Sequence, residues 1–175
     1  IDTNHVTERF SDKTVNEIVK AASEMSRAKT GALIVIEQNV RLDEYERTGI
    51  VIDSVLTSQI LINIFEHNTP LHDGAVIVRG NRITAATCYL PLSDNMLLSK
   101  ELGTRHRAGV GISEVTDSLT VIVSEETGAI SVAYKGELMR KLTAEELKKL
   151  LVIAQNKTAA QKKFRLWKGW NKNEI

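Results

Sequence analysis

Cys88 is the single cysteine in 175 residues, so no internal disulfide can staple the chain. It lies in a strand-like run and reads as a buried, inert thiol rather than a nucleophile. Two prolines and no low-complexity tract exclude a long disordered linker. Charge of one sign is also lacking. Lys and Arg number 23 against 22 for Asp and Glu, a net charge of +1, so nothing pulls the whole molecule toward nucleic acid and any basic patch is local. No stretch approaches the roughly 18 to 20 apolar residues that span a bilayer, and no signal peptide or internal repeat is visible. Ile1 is not an ordinary translation start, so the chain is expected to be a fragment or a processed product.

What is present suffices for one core. With 42% hydrophobic and 26% charged residues, a chain of this length buries about 70% of its unfolded surface as one domain. Val15, Ile18, Val19, Ala22 and Met25 form one stripe, predicting a helix over 12–28 capped by Ser11 or Asp12. Thr30-Gly31 stops it, and Ala32 to Ile36 reads as a strand covered on both faces. Residues 39–48 read as a surface loop and 49–52 as a short strand. Asp53-Ser54 is expected to cap a helix through Phe65, largely covered by the core or by a partner subunit. Ala75 to Val78 and Ile83 to Leu90 make a hairpin reversing at Gly80-Asn81. Ser93 to Leu102 is a connector with helical tendency. A second hairpin joins Leu119 to Val123 with Ala129 to Tyr134 through Ser124 to Gly128, and Thr143 with Glu146 opens a last helix through a capping box. The expected class is α/β (α+β): a single globular domain over 1–155, with a central mixed, mainly antiparallel sheet flanked by helices.

Two stretches carry chemistry. His72-Asp73-Gly74-Ala75 lifts an imidazole and a carboxylate onto the lip of a strand, because Asp-Gly makes a tight turn. Such a pair can ligate a metal, and mixed nitrogen and oxygen ligation favours manganese or cobalt over calcium, with magnesium also admissible. The other reading is a turn with a solvated carboxylate. In Gly103-Thr104-Arg105-His106-Arg107, Thr104 is a candidate N-cap, which puts two arginines at the positive end of a helix running to about Val115. That placement is unfavourable by roughly 0.3 to 1 kcal/mol per exposed cation unless an anion sits beside it. Free N–H groups, a hydroxyl and two guanidinium forks converging on one point are what a phosphate requires.

His72-Asp73-Gly74-Ala75 and Arg105-His106-Arg107 resemble the paired DGA and RHR motifs of the diadenylate cyclase domain, whose members join two ATP molecules into cyclic di-AMP. Tyr89-Leu90-Pro91-Leu92-Ser93 and Thr30-Gly31-Ala32-Leu33-Ile34-Val35-Ile36 also resemble that family, in the same order and at similar separation. The resemblance covers roughly 12–155. It implies that Gly31, Ala32, Tyr89 and Leu90 lie against the adenine. It also implies that Thr104, Arg105, His106 and Arg107 hold the nucleotide, Ser124 contacts it, and an acidic residue near Glu125 and Glu126 joins His72 and Asp73 in holding a divalent metal. From the residues alone, Gly31 is equally a helix-ending glycine, Tyr89 and Leu90 are equally core, and two adjacent carboxylates at a turn are equally solvated.

On this reading Asp73 is the essential carboxylate and Gly74 lets ribose or base approach the backbone. Arg105 and Arg107 neutralise charge on the leaving pyrophosphate, and His106 turns inward to orient the loop. Because the two substrates are identical, the active form is expected to be a homodimer with two ATP sites face to face. One branch of the family carries membrane helices before the domain, which predicts a place on the cytoplasmic face of the bacterial plasma membrane. Residues 156–175, with Lys157, Lys162, Lys163, Arg165 and Lys168 among Phe164, Trp167 and Trp170, form a basic aromatic tail beyond the resemblance. Nucleic acid or an anionic membrane surface is its alternative use. The rivals to catalysis are a catalytically silent nucleotide-binding module and an interaction domain working through that tail.

Overall fold

The computed structural model describes residues 9–156. Helix α1 (Asp12–Ala28) is capped by Ser11, whose hydroxyl accepts the Thr14 N–H. It is followed by β1 (Ala32–Ile36), α2 (Asp43–Glu46), β2 (Ile50–Val55), α3 (Ser58–Phe65), β3 (Ala75–Arg79), β4 (Arg82–Cys88) and α4 (Thr104–Val115). Then come β5 (Leu119–Val123), β6 (Ile130–Tyr134), β7 (Glu137–Leu142) and α5 (Ala144–Gln155). The seven strands form one sheet in the order β2-β4-β3-β1-β5-β6-β7. Only β1 and β3 pair in parallel, so the sheet is mixed and mainly antiparallel, as expected. Apolar residues of α1, α3 and α5 pack on one face. Those of α4, with Leu42 and Tyr45, pack on the other. That double cover is why β1, β5 and β6 are buried along their whole length.

Several expectations are corrected. Gly31 does not end α1: Lys29 takes the left-handed cap at φ 52°. Asp53 and Ser54 do not cap α3, because both belong to β2, Ser54 paired with Ile83 of β4 and Asp53 in the bulge before it; Thr57 is the cap and accepts the Ile60 N–H. Helix α3 buries Ser58, Leu61, Ile64 and Phe65 and packs Ile60 and Ile62 half-buried on the same core, so it is largely covered as expected, with only Gln59 and Asn63 exposed. The 39–48 segment contains α2 and buries Leu42. It is tied to the sheet by Arg79, which donates to both oxygens of the buried Glu37 at 2.9 and 2.8 Å and also bonds Glu46. The 93–102 connector forms no helix. Strand β7 is an element the sequence reading passed over; it follows a tight turn at Lys135-Gly136, both with positive φ. The capping box at Thr143 and Glu146 is present. The tail expected from Lys157 onward lies outside the described residues.

Candidate functional site

Strand register brings the scattered motifs to one end of the sheet. Ala32 opens β1 opposite Val123, the last residue of β5. Ala75 opens β3 opposite Cys88, the last residue of β4. Because β1 and β3 run parallel, the segments 31–32, 72–75, 88–90 and 123–126 emerge on the same side.

At the start of β3, Gly74 adopts φ +85°, and a Cβ there would lie 2.9 Å from the Cys88 carbonyl oxygen. The turn and the close pass of β4 therefore require glycine here, a demand of the fold that stands beside the expected role in a ligand's approach. The turn sets His72 Nδ1 2.6 Å from the Thr69 carbonyl oxygen. Only an N–H satisfies that contact, so the neutral ring carries its proton on Nδ1 and its lone pair on Nε2. Nε2 lies 3.3 Å from Asp73 Oδ1. Two acceptors facing each other at that distance call for a cation or a proton between them, and an imidazole whose other nitrogen is held by a carbonyl is the usual form of a metal-ligating histidine. The pair therefore fits a divalent metal. Among the described residues no group of three or more His, Cys, Asp or Glu gathers to hold one, so Glu125 and Glu126 do not join His72 and Asp73.

Gly103, not Thr104, occupies the N-cap position of α4 and supplies no side-chain acceptor, which leaves first-turn N–H groups free for an anion. Arg105 Nη1 pairs with Glu125 Oε2 at 3.3 Å, while its buried Nε has no partner. A Cβ on Gly31 would sit 2.5 Å from the Arg105 Cζ, so the bare backbone of Gly31 is what admits the guanidinium. A cleft of about 290 Å³ opens here, lined by Thr104, Arg105, His106, Ser124, Glu126 and Arg140 among others. The Ser124 hydroxyl accepts the Glu126 and Thr127 N–H groups, stiffening the wall. His106 is buried as expected; desolvation, then the charges of Arg140 and Arg105, hold its pKa below the ordinary value. Arg107 does not line this cleft. Two residues apart on a helix, at about 100° each, Arg105 and Arg107 point to nearly opposite sides, so the expected convergence of both forks in it does not occur.

Beyond Cys88 the chain turns out of β4. Tyr89 is 75% exposed and its N–H donates to Thr48 Oγ1 at 2.8 Å, so the reading of its ring as core is overturned. Leu90 packs half-buried on the α4 side. Thr87, β-branched and at φ 54°, forms the bulge that switches faces between Ala85 and Cys88. Burial raises the Cys88 thiol to about 12, as an inert core thiol requires. Arg140 is the cleft residue that sequence reading missed; the Lys135-Gly136 turn ahead of Glu137–Leu142 was the signal that could have found it.

A family model described as DisA bacterial checkpoint controller nucleotide-binding, abbreviated DAC, matches residues 19–138. Cyclic di-AMP synthase CdaA of Bacillus subtilis is 52% identical over 160 residues, 91% of this chain and 59% of that protein. A diadenylate cyclase of Listeria monocytogenes is 51% identical over 164 residues, covering 93% and 60%. The chain thus spans about 60% of the length of these curated relatives. The crystal structure of a double mutant of DacA from Staphylococcus aureus superposes with a TM-score of 0.81 at 50% identity, covering 82% of this chain and 96% of that one. A hypothetical membrane spanning protein from Bacillus cereus gives 0.72 at 43%, covering 75% and 64%. By sequence, by fold and by the motifs gathered at one sheet end, the chain belongs to the DAC family of diadenylate cyclase domains.

Proposed function

We propose that this chain is the catalytic domain of a diadenylate cyclase, condensing two ATP into cyclic di-AMP with release of two pyrophosphates. The observation that carries the reading is the joint presence, at one sheet end, of the His72–Asp73 acceptor pair and the uncapped α4 N-terminus with Arg105. The first suits a metal and a hydroxyl proton; the second suits phosphate.

Each 3′-oxygen bonds to the α-phosphorus of the other ATP, the bond from that phosphorus to the bridging oxygen breaks, and pyrophosphate departs with the electron pair. Asp73 draws off the 3′-hydroxyl proton or holds the metal, with His72 as a ligand. A divalent metal there, manganese foremost and cobalt or magnesium as alternatives, would neutralise phosphate charge and acidify the hydroxyl. Thr104, Arg105 and the α4 N–H groups bind phosphate and stabilise the leaving group. Gly31, Ala32, Leu90 and the exposed Tyr89 ring receive the base, and Ser124 lines the same site. Glu125 is engaged by Arg105, and Glu126 lines the phosphate cleft.

One subunit holds one ATP, so turnover requires two chains face to face. Positioning of this kind supplies roughly 7 to 11 kcal/mol. The membrane connection lies in another part of the full protein, which would set this domain at the cytoplasmic face of the bacterial plasma membrane. The likeness to a protein described as membrane spanning supports that placement.

The test is product formation from ATP with manganese at several protein concentrations. Cyclic di-AMP should appear with two pyrophosphates per product and with specific activity rising with concentration. Asp73→Asn should lose about 10²- to 10⁴-fold in rate. Absence of pyrophosphate at every concentration with manganese, cobalt and magnesium refutes catalysis by this chain.

A further inference from the structure

Arg140 stands outside every motif that drew attention to the site, yet it lines the same cleft as Thr104, Arg105, His106 and Ser124. Its position is built by an irregularity in β7. The register steps from Ile130↔Leu142 to Val132↔Met139, so β7 spends an extra residue opposite Ser131, and Lys141 absorbs it at φ 55°. The bulge lets Met139 and Leu142 both reach the α1/α5 core while Arg140 stays on the α4 face beside Ser131. Arg140 makes no hydrogen bond or ion pair with any described residue. The cleft carboxylate of Glu125 is taken by Arg105, and neither Glu101 nor Glu126 comes within ion-pair distance of Arg140. On the same wall the buried Arg105 Nε also lacks an acceptor, and the neighbouring His106 is only 7% exposed. Two guanidinium groups and an imidazole in one cleft beside a helix N-terminus match a ligand with several negative oxygens.

We propose that Arg140 binds the polyphosphate end of the nucleotide, holding the β- and γ-phosphates of ATP and the pyrophosphate formed from them. This rests on the reading of the cleft as an ATP site. Arg105 sits in the first turn of α4 beside its free N–H groups, whereas Arg140 enters the cleft from β7, so Arg140 is assigned the phosphates beyond the α-phosphate and a nucleoside monophosphate is left untouched.

The experiment is a calorimetric titration of the whole chain with α,β-methylene-ATP, which keeps all three phosphates and cannot release pyrophosphate, and with AMP. Arg140→Ala should weaken the triphosphate roughly ten- to hundredfold, as loss of charged hydrogen bonds does, and leave AMP within about twofold. Arg140→Lys should recover part of the loss. In turnover, pyrophosphate inhibition should weaken in step, while inhibition by cyclic di-AMP, which has no β- or γ-phosphate, should not. Equal weakening of both nucleotides, no change in either, or a wild-type chain that prefers AMP overturns the proposal. A wild-type chain that prefers the triphosphate through Arg140 but forms no cyclic product upholds it and refutes catalysis instead.

Discussion

Replacing Gly31 with alanine separates placement of Arg105 from stability of the fold. Gly31 has an ordinary backbone, not among the positive-φ glycines, so alanine fits the chain conformation. Its Cβ would stand 2.5 Å from the Arg105 Cζ. Carbon atoms in contact settle at about 3.5 to 4.0 Å, so the guanidinium must retreat by about 1 Å or more. A misplacement of about 1 Å costs on the order of 10²-fold in rate, about 2.7 kcal/mol of barrier. Stability should hardly move. Gly→Ala at a permitted backbone gains about 0.4 to 1 kcal/mol by restricting the unfolded chain. The Arg105–Glu125 pair it disturbs is partly exposed, and such a pair is worth at most about 1 kcal/mol. The assay is kcat/KM for pyrophosphate release beside urea unfolding of the same preparation. A hundredfold loss at unchanged unfolding free energy is the expected result. Wild-type kcat/KM would show that the position of Arg105 does not matter to the reaction. A loss of several kcal/mol in stability would show instead that Gly31 serves the core.

The depressed pKa of His106 sets a pH dependence, because the unfolded imidazole takes up its proton at its ordinary value, 6.5, while the folded one resists it. Stability of the nucleotide-free protein should therefore decline as pH falls from about 6.5 toward the lower folded value, and His106→Gln should flatten that slope in urea titrations at pH 7.5 and 5.5. An identical slope in the variant would refute the assignment. Thr143→Ala removes the hydroxyl that accepts the Glu146 N–H and breaks the capping box. It should cost about 0.5 to 2 kcal/mol in unfolding free energy and leave pyrophosphate release unchanged.

Periodicity and turn chemistry made most of the fold legible. The stripe from Val15 to Met25, the apolar run Ala32 to Ile36, the Gly80-Asn81 reversal and the Thr143–Glu146 box are local signals, and each element stands where its signal put it. The misreadings fall where a distant partner overrides local preference. Asp53 and Ser54 are plausible caps in isolation, but both are taken into β2 at the sheet edge, where Ser54 pairs with Ile83 of β4 and Asp53 bulges at φ 48°. Thr104 is a plausible cap, yet it is the first helical residue of α4 and Gly103 takes the cap position.

The chemistry divides in the same way. Residue types and order alone named His72, Asp73, Thr104 and Arg105, since imidazole beside carboxylate and cations at a helix start are legible one residue at a time. That Gly31 is the floor under Arg105, that Glu125 is spoken for, that Arg107 faces away from the cleft and that Arg140 faces into it depend on strand register, bulges and the rotation of α4. Those are contacts between residues tens of positions apart, and only the folded sheet brings them within reach.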